Sequence, residues 1–440
     1  MKQIKWSKYL DIVDAGDFTV LYNSVSRGMY MLKNNLIDRI NESIECQTAP
    51  SDEVKKIIAK LYQQEFIVKA ETNEIEKFHE YRYKYYNNIF GTVLYVLPTL
   101  NCNFVCPYCI QNEYTSNSCD EMSDETINQL SYWICGFVQK NKDIIIESQS
   151  LNKESNLVKL VFFGGEPTLY NEKNWKLLDL LKTSLPEWLK LSFTIITNGF
   201  GIDNDTLIKY KIRGLSGLQI TLDGPPEIHD TRRTPKNNTP TFYNILDTIK
   251  RSIELGIKIA VRINIDEGNV DSISQLIDLL DENKLSGTLH LNIAPVDKNC
   301  ATSVFDGHQQ SVLGKFYDIF KKALGSNYTV SMWESFCGVY ARSFFVVTPD
   351  GNLYKCPSLL NKERAIGNVF NAEFLPTYEQ IINHTLEKQC YECKYVGLCG
   401  GGCYNQNIMH GKLQCQKVTY ENLVGAFCKS MGEYWGRKEK

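Results

Sequence analysis

The stretch NCNFVCPYCI, residues 101–110, places cysteines at Cys102, Cys106 and Cys109. It follows the apolar run TVLYVLPTL (92–100), which is typical of a buried β-strand. Thiolates bind zinc or iron–sulfur clusters, and a closed structural zinc site takes four protein ligands. The nearest preceding histidine, His79, is far upstream. The loop therefore predicts a metal site with one open position, and a zinc knuckle with a distant fourth ligand stays open as the alternative.

The composition of the 440-residue chain, with 43% hydrophobic and 22% charged residues, is that of a globular protein with two to four domains. Its formal net charge of −3 gives no electrostatic argument for a nucleic acid or an anionic membrane as partner. We find no run of signal-peptide length and no stretch of the ~18–20 apolar residues that a membrane span needs. We therefore expect a cytoplasmic protein with no nucleic-acid or membrane partner.

The fifteen cysteines of the chain need a reason. Because cytosolic thiols are kept reduced, metal ligation explains them better than a disulfide framework. Eight of them fall between Cys337 and Cys428. Four others are scattered, and we interpret them as core or incidental thiols: Cys46, Cys119, Cys135 and Cys300.

Strand-like apolar runs alternate with amphipathic segments in the middle of the chain. The six runs are 92–100, 157–165, 191–199, 215–224, 257–266 and 287–296. Such alternation predicts a parallel sheet with right-handed crossovers, either a partial (β/α)6 TIM-like barrel or an open wound sheet. In both cases chemistry collects at the carboxyl ends of the strands. The cysteine loop and several polar motifs lie at these ends.

The first ~90 residues have a different pattern. FTVLYNS and GMYML are β-rich runs around a turn at 24–28. LIDRINESI and SDEVKKIIAKLYQQ have helical spacing, with Ser51 as the predicted N-cap before Val54, and EFIVKAE is a returning strand. This order fits a winged-helix fold. The charged run at 71–86 is typical of a linker, in helical form or not.

The cysteines after residue 337 have regular spacing. Cys337 is followed by Gly351 and Cys356, then by the series Cys390, Cys393, Cys399 and Cys403, and finally by Cys415 and Cys428. Short gaps allow neighbouring thiolates to bind one cluster, and the glycines of CGGGC leave backbone room beside it. Because this segment has little apolar periodicity, metal clusters would have to stabilise it.

The cysteine loop resembles the signature of radical S-adenosylmethionine (SAM) enzymes. The shared features are the C-x3-C-x2-C spacing after the first barrel strand and an aromatic residue, Tyr108, before the third cysteine. The resemblance implies a [4Fe-4S] cluster bound by Cys102, Cys106 and Cys109. Its open iron would bind the amino and carboxylate groups of SAM. Reduction, by a flavodoxin- or ferredoxin-type protein, would release a 5′-deoxyadenosyl radical that takes a hydrogen atom from the substrate.

Further motifs at the strand ends resemble the cofactor contacts of this family. The GGEP motif would meet the methionine amino group, TNG and VRINID would meet the ribose and carboxylate, and LDGPPEIHDTRR resembles the loop after the fourth strand. The residues concerned are Gly164, Gly165, Glu166, Pro167, Thr197, Asn198, Asp223, Arg262 and Asn264, with Gly224, His229, Asp230 and Arg232 beside them. Ordinary turn chemistry is the alternative for each single residue.

The cysteine-rich tail resembles the SPASM extension of radical SAM enzymes. The resemblance implies two auxiliary [4Fe-4S] clusters, the first bound by Cys337, Cys356 and Cys403 and the second by Cys390, Cys393 and Cys399. The closing ligand stays open between Cys415 and Cys428, as does an open iron in the first cluster. We expect three domains: 1–85, a winged-helix-like unit; 91–305, the barrel; and 306–440, the SPASM domain.

The N-terminal pattern resembles the precursor-recognition domain of peptide maturases, whose edge strand would bind an extended leader peptide by strand addition. Together these features predict an enzyme that installs a thioether or carbon–carbon cross-link in a ribosomally made peptide. An anaerobic sulfatase maturase is the alternative, although that group usually has Asp where Pro357 stands here. A peptide epimerase, an iron–sulfur electron carrier and a redox-regulated DNA binder are the other candidates.

Overall fold

The computed structural model describes residues 3–45, 49–87, 89, 91–111, 114, 121–150, 152–153, 155–296, 310–330 and 337–438. The chain divides into two compact units. The barrel unit is Tyr83–Ser303 with Gly338–His384, and the terminal unit is Met1–Arg82 with Val304–Cys337 and Thr385–Lys440. Cys46, Cys119 and Cys300 lie outside the described residues. The three domain boundaries expected from the sequence stay a prediction.

The strands are numbered in chain order. They are β1 Ile4–Trp6, β2 Leu10–Asp14, β3 Phe18–Asn23, β4 Met29–Lys33, β5 Ile67–Lys69, β6 Thr92–Val96, β7 Leu157–Phe162, β8 Lys190–Thr197, β9 Leu215–Thr221, β10 Ile259–Ile265, β11 Leu289–Pro295, β12 Thr329–Val330, β13 Phe344–Val347, β14 Asn352–Tyr354 and β15 Gly367–Asn368.

The helices are numbered in the same way. They are α1 Asn34–Glu45, α2 Asp52–Gln63, α3 Glu74–Asn87, α4 Asp124–Lys140, α5 Lys142–Ser148, α6 Asn171–Ser184, α7 Asn204–Ile212, α8 Pro226–Arg232, α9 Phe242–Glu254, α10 Ile273–Glu282, α11 Gln310–Gly325, α12 Pro376–Ile382, α13 Lys388–Tyr391, α14 Val396–Cys399, α15 Tyr404–His410 and α16 Lys417–Lys438.

The barrel unit is built on six parallel strands, β6 to β11, each hydrogen-bonded to the next in the chain. β13 adds in parallel to the other side of β6, and β14 and β15 continue the sheet in antiparallel fashion. Many side chains of these strands are buried, as expected for a parallel sheet covered by helices. The prediction of an α/β fold with six βα repeats, a partial TIM-like barrel, is confirmed.

Side-chain caps set where several barrel helices begin. The Ser123 hydroxyl accepts from the Thr126 N–H at the start of α4, and Asp203 accepts from the Thr206 N–H at the start of α7. These bonds satisfy backbone donors that the first helical turn leaves without partners. These caps fix where α4 and α7 begin, so that the long cysteine loop lies between β6 and α4 and a short loop lies between β8 and α7.

The terminal unit contains a three-stranded antiparallel sheet, β2-β3-β4, and the pair β1-β5. Every side chain of β3 is buried. Leu21 packs in a cluster with residues of α1 and α2, and Val20 and Tyr22 pack in a second cluster with Tyr395, Leu398, Val424 and Cys428. The sheet consequently has an apolar core on both faces, one from the N-terminal helices and one from the tail.

The tail contacts the N-terminal sheet through polar groups as well. Asp11 accepts hydrogen bonds from Lys394 Nζ at 2.8 Å and from the Tyr395 hydroxyl at 2.6 Å. In α16, a Cβ added to Gly432 would stand 2.5 Å from the Ala15 Cβ, so the helix backbone approaches the sheet closely.

The predicted N-cap Ser51 accepts from the Val54 N–H, and the predicted linker forms helix α3.

A search of the helices for a membrane span, restricted to the described part of the chain, finds none with the necessary length and hydropathy.

Candidate active site

The motifs singled out in the barrel meet at one edge of its sheet. The cysteine loop follows β6, GGEP follows β7, and Thr197 is the last residue of β8. Asp223 lies two residues after β9, and Arg262 and Asn264 lie in β10. Because the six strands are parallel, these carboxyl ends share an edge.

The two glycines of GGEP contact the backbone of the cysteine loop. The Gly165 N–H donates to the Thr99 carbonyl at 3.1 Å, and the Glu166 N–H donates to the Asn101 carbonyl at 2.8 Å. A Cβ on Gly164 or Gly165 would stand 2.4 Å from the Thr99 oxygen or 2.0 Å from the Asn101 oxygen. A side chain at either position would collide with backbone, so glycine is required for this approach.

The Glu166 carboxylate joins the ends of β7 and β8. It is 1% exposed and accepts from the Thr168 N–H and hydroxyl, the Thr197 hydroxyl and the Asn198 N–H at 2.7–3.0 Å. Burial raises its pKa, and these donors oppose that rise. An ionised carboxylate has about four acceptor positions. An ammonium group bound here, as the sequence predicts, would share or replace one of these donors.

The cysteine loop is also held by residues after β8 and α8. Asn198 Nδ2 donates to Asn103 Oδ1 at 2.7 Å. The Val105 N–H donates to the Thr234 carbonyl at 2.8 Å, and the Lys236 N–H donates to the Asn103 carbonyl at 2.9 Å. A side chain after β8 and backbone groups after α8 thus fix the conformation between the first two cysteines.

Tyr108 and Asp223 form the centre of a buried polar cluster. The Tyr108 hydroxyl donates to Asp223 Oδ2 and accepts from Arg233 Nη1 at 2.8 Å. Asp223 Oδ1 accepts from the Asn264 N–H at 3.1 Å, and Asp223 is fully buried. Burial raises the pKa of Tyr108, which keeps the phenol protonated as a donor. This cluster ties the residue before Cys109 to the ends of β9 and β10.

The loop after β9 is locked by further side chains. Arg232 makes a two-pronged ion pair with Asp266 at 2.9 and 2.8 Å and lies over the Tyr108 ring. His229 Nδ1 accepts from the Asp223 N–H at 3.3 Å. Asp230 accepts from the Phe242 N–H at 2.9 Å, which satisfies the first turn of α9. These residues, with Gly224, have positioning contacts in the structure.

Arg262 is a third arginine of the site, beside Arg232 and Arg233. Its Nε donates to Asn264 Oδ1 at 2.9 Å and its Nη1 donates to Asn292 Oδ1 at 3.1 Å. Burial lowers its pKa to about 10, although the negative charge of Asp223 opposes the shift. The guanidinium remains protonated near neutral pH, and the negative charge of Asp223 neutralises its positive charge only in part. An anionic group such as a carboxylate fits these surroundings.

The three thiols fit an iron–sulfur cluster by their chemistry. Cys106 is buried, Cys102 is half-buried and Cys109 is exposed. Burial raises the pKa of Cys102 to about 12, and the charges of Glu166 and of the other two cysteines add to the rise. Thiolates gathered in this way are stabilised by a bound cation, and metal binding releases their protons.

No three His, Cys, Asp or Glu side chains in the described ranges converge as ligands of a single metal ion. The thiolates of a four-iron cluster bind separate irons, so they need not converge in that way.

The tail cysteines are divided between the units. Cys356 lies in the barrel unit, after the buried Lys355, whose Nζ donates to the Phe344 carbonyl at 2.6 Å. The others lie in the terminal unit: Cys337, Cys390, Cys393, Cys399, Cys403, Cys415 and Cys428. The assignment of these residues to two auxiliary clusters stays a prediction.

Sequence reasoning missed several residues of the site. Asn269 Nδ2 donates to the carbonyls of Asp223 and Asn264 at 2.7 and 2.8 Å, and Arg233 donates to Tyr108. Arg233 had a weak signal as the second residue of the Arg pair, but Asn269 had none because its partners come from other strands. Gln111, two residues after Cys109, is 1% exposed, and its amide atoms have no hydrogen-bond partner in the structure.

Residues 96–281 match the family model described as the radical SAM superfamily. The matched range begins at the end of β6, includes the cysteine loop and extends through most of α10. This stretch matches a radical SAM domain. Its cofactors are accordingly a [4Fe-4S] cluster and SAM, and the many tail cysteines are consistent with auxiliary clusters.

Two curated relatives are maturases of sulfatases. The chain is 26% identical over 338 residues to the cysteine-type anaerobic sulfatase-maturating enzyme of Clostridium perfringens, covering 69% of this chain and 85% of that protein. It is 21% identical to the serine-type enzyme of Bacteroides thetaiotaomicron, covering 69% of this chain and 80% of that protein.

Two of the solved structures that resemble this chain were determined with a bound peptide. One is native anSMEcpe with bound AdoMet and a Cp18Cys peptide, with a TM-score of 0.62 and 18% identity over 79% of this chain and 99% of that one. The other is Streptococcus suis SuiB bound to its precursor peptide SuiA, with a TM-score of 0.52 and 15% identity over 93% of this chain and 97% of that one. At these identities the likeness establishes the fold.

Proposed function

We propose that the protein is a radical SAM maturase that installs a thioether or carbon–carbon cross-link in a ribosomally made precursor peptide. The observation that carries the proposal is the share of this chain that each of the two solved folds covers. The SuiB fold covers 93% of this chain, whereas the anSMEcpe fold covers 79%. The larger coverage favours a function like that of SuiB, whose structure was determined with a bound precursor peptide.

The N-terminal sheet supports a peptide partner that binds through its leader. Its order, β2-β3-β4, leaves β2 and β4 as edges of this three-stranded sheet. On β4, Tyr30 packs against one apolar cluster and Met29 and Met31 against the other. An edge strand supported on both faces presents backbone N–H and C=O groups with which an extended leader segment can pair.

The barrel residues would bind the cluster and SAM and hold them in a fixed orientation. Cys102, Cys106 and Cys109 would hold the cluster and Arg262 would bind an anionic group. Tyr108, Asp223 and Arg233 hold the cysteine loop in place. Together with the cluster, SAM supplies a 5′-deoxyadenosyl radical when it is reduced by one electron from a flavodoxin- or ferredoxin-type protein. These residues therefore set where the substrate hydrogen must lie.

Cross-link formation removes two hydrogens from the peptide. One would leave as a hydrogen atom taken up by the radical that SAM supplies. The other would leave as a proton, and the remaining electron would pass to an iron–sulfur centre of the enzyme. The new bond joins the carbon that lost its hydrogen atom to a cysteine sulfur or to a second carbon. The tail thiolates would hold the electron acceptors.

The second candidate is formylglycine formation, which the names of the curated relatives favour. Sulfatase maturases usually have Asp directly after the cysteine that matches Cys356, whereas this chain has Pro357. A peptide epimerase is the third candidate. Epimerisation and formation of formylglycine from cysteine differ from cross-linking in the mass of the product, whereas formylglycine made from serine has also lost two hydrogens and is recognised by its aldehyde.

The test uses the anaerobically reconstituted full chain, SAM, a reductant and a short peptide encoded beside the gene. Loss of two hydrogens from the peptide without formation of an aldehyde supports cross-linking, and fragmentation locates the bond. Loss of sulfur from a cysteine indicates formylglycine, and deuterium uptake from D2O at constant composition indicates epimerisation. An unchanged peptide despite formation of 5′-deoxyadenosine contradicts the proposal for that peptide. A Cys102→Ala variant, which should form no 5′-deoxyadenosine, is the control.

A further inference from the structure

A buried polar side chain of α6 contacts the backbone of the GGEP motif from behind. Asn174, in the first turn of α6, is 1% exposed. Its Nδ2 donates to the Pro167 carbonyl at 2.9 Å and to the Tyr210 hydroxyl at 2.8 Å. Because the Pro167 carbonyl can only accept, the nitrogen end of the amide must face it. Asn174 is therefore a hydrogen-bond donor to the backbone of the motif.

The peptide group that Asn174 contacts is the one that binds the Glu166 carboxylate. The Pro167 carbonyl and the Thr168 N–H belong to a single planar peptide unit. The N–H end of this unit donates to Glu166 Oε1 at 3.0 Å, and the Thr168 hydroxyl donates to the same oxygen at 2.7 Å. A hydrogen bond accepted at the carbonyl end fixes the plane and polarises the N–H end, which strengthens it as a donor.

Tyr210, in α7, fixes the orientation of the Asn174 amide. Its hydroxyl accepts from Asn174 and donates to Asn171 Oδ1 at 2.6 Å. Burial raises the pKa of Tyr210; the hydrogen bond from Asn174 opposes the rise, and the negative charge of Glu166 adds to it. The phenol therefore stays protonated, and the hydrogen bonds of the three side chains run in one direction.

Aromatic packing holds the Tyr210 ring in place. The side chain is 1% exposed, and its ring centroid lies 5.6 Å from that of Trp175 in α6 and 6.1 Å from that of Phe193 in β8. The position of the hydroxyl is thus set by contacts that do not involve its oxygen. A phenylalanine at this position would keep the ring and remove the oxygen alone.

We propose that Asn174, oriented by Tyr210 and Asn171, is a positioning residue for the Glu166 carboxylate and thereby sets the affinity of the protein for SAM. The proposal rests on the radical SAM chemistry of the proposed function, in which Glu166 is expected to meet the amino group of SAM. It is independent of the peptide substrate.

The test measures the dissociation constant of SAM by isothermal titration calorimetry. It uses the anaerobically reconstituted full chain with an oxidised cluster, so that SAM is bound but not cleaved. Asn174→Leu nearly keeps the shape of the side chain but removes the donor to the Pro167 carbonyl. We expect the dissociation constant to rise about ten-fold or more, as is usual for residues that orient a binding group through hydrogen bonds. Tyr210→Phe should raise it by a smaller factor.

Leu178→Ala is the matched control. Leu178 is fully buried in the same helix, and none of the hydrogen bonds around Asn174 involves its side chain. Its truncation lowers stability by loss of packing. We expect a SAM dissociation constant close to that of wild type, and the same iron content in all variants. At saturating SAM, kcat for SAM cleavage should fall less in Asn174→Leu than the affinity does.

An affinity for SAM in Asn174→Leu equal to that of wild type overturns the proposal. An equal loss of affinity in Leu178→Ala overturns it as well, because the effect would then follow from stability alone. If Asn174→Leu does not fold, Tyr210→Phe decides: weaker binding at unchanged iron content supports the proposal, and unchanged binding overturns it.

The titrations contain no peptide. A protein that shows the expected loss of SAM affinity in these variants but modifies no precursor peptide would contradict the proposed function and leave the role of Asn174 standing. Cross-linking of a peptide together with unchanged SAM affinity in Asn174→Leu would do the reverse.

Discussion

At the scale of single residues, the hydroxyl of Tyr108 links two charged groups of the site by hydrogen bonds. It joins Asp223 to Arg233, which are both buried, while Tyr108 itself is half-buried. The sequence indicated Tyr108 as the aromatic residue of a cluster signature. The structure shows in addition a hydrogen-bonding role, which depends on partners 115 and 125 residues away in the chain.

Replacement of Tyr108 by Phe should destabilise the barrel unit. It leaves a buried carboxylate oxygen and a guanidinium N–H without their partner, at a cost of about 1–3 kcal/mol. Thermal unfolding of the reconstituted protein measures the loss. Tyr132→Phe, at a residue that is 70% exposed, is the control and should stay within about 0.5 kcal/mol of wild type. Equal melting temperatures for Tyr108→Phe and wild type would contradict the role.

His229 should give the barrel a pH-dependent stability. Burial lowers its pKa well below 6.5, and the charges of Arg233 and Arg232 lower it further. Below pH 6.5 the unfolded chain binds a proton that the folded chain does not. The free energy of unfolding should therefore fall with decreasing pH by up to about 1.4 kcal/mol per unit.

Denaturant titrations of wild type and His229→Gln between pH 5 and pH 7.5 measure this dependence. Glutamine can still accept from the Asp223 N–H but does not titrate, so the variant should gain stability relative to wild type as the pH falls. His410→Gln, at an exposed residue, is the control and should follow wild type. Parallel curves for all three proteins would contradict the role of His229.

At the scale of elements, the site depends on the close approach of two loops at the ends of β6 and β7. The turn at Gly164 and Gly165 is bonded to the backbone of Thr99 and Asn101. This contact places Glu166 on the ends of β7 and β8. The position of the cluster loop is thus set by backbone contacts, and side chains at the turn would prevent them.

Gly165→Ala should displace the cysteine loop, because the new Cβ would stand 2.0 Å from the Asn101 oxygen. We expect overpacking of about 1–3 kcal/mol or more, loss of about four irons and strongly reduced cleavage of SAM. Gly136→Ala is the control, since a Cβ there meets nothing within 4 Å and the residue lies in α4. It should be neutral or stabilising by up to about 1 kcal/mol. Normal iron content in Gly165→Ala would contradict the argument.

The periodicity of apolar residues and the helix-capping residues allowed many of the strands and helices to be predicted from the sequence. The six βα repeats followed from apolar runs of the right length, and Ser51 was identified as a cap from its residue type and position. The contacts of Asn269, Arg233 and Asn103 could not be predicted. Each of these residues joins loops that follow different strands. The register of the strands, which sets how the loops meet, is fixed only when the sheet forms. The helical form of the segment predicted as a linker was left open for a similar reason, since its charged pattern has little periodicity.

At the scale of the whole molecule, the terminal unit joins the two ends of the chain. The apolar cluster around Val20 and Tyr22 takes residues from the N-terminal sheet and from the tail. Sequence patterns did not predict this arrangement, because the tail has little apolar periodicity that would indicate which surface it covers. The cysteine-rich tail therefore has an apolar core in addition to any metal clusters.

Gly432→Ala should test the contact between the last helix and the N-terminal sheet. Its Cβ would stand 2.5 Å from the Ala15 Cβ and 2.8 Å from Val20, so we expect destabilisation of about 1–3 kcal/mol. Gly425→Ala in the same helix is the control, because a Cβ there meets nothing within 4 Å. Calorimetry of both variants measures the difference. A Gly432→Ala variant as stable as Gly425→Ala would contradict this packing.

The joined ends have a consequence for biosynthesis. The N-terminal strands leave the ribosome first, but the helix that covers Val20 and Tyr22 is made about 400 residues later. At synthesis rates of about 5–20 residues per second, that delay is roughly 20–80 seconds. During this interval one apolar face of the nascent sheet stays open to water and to chaperones. The part of the protein that is translated first is thus completed last.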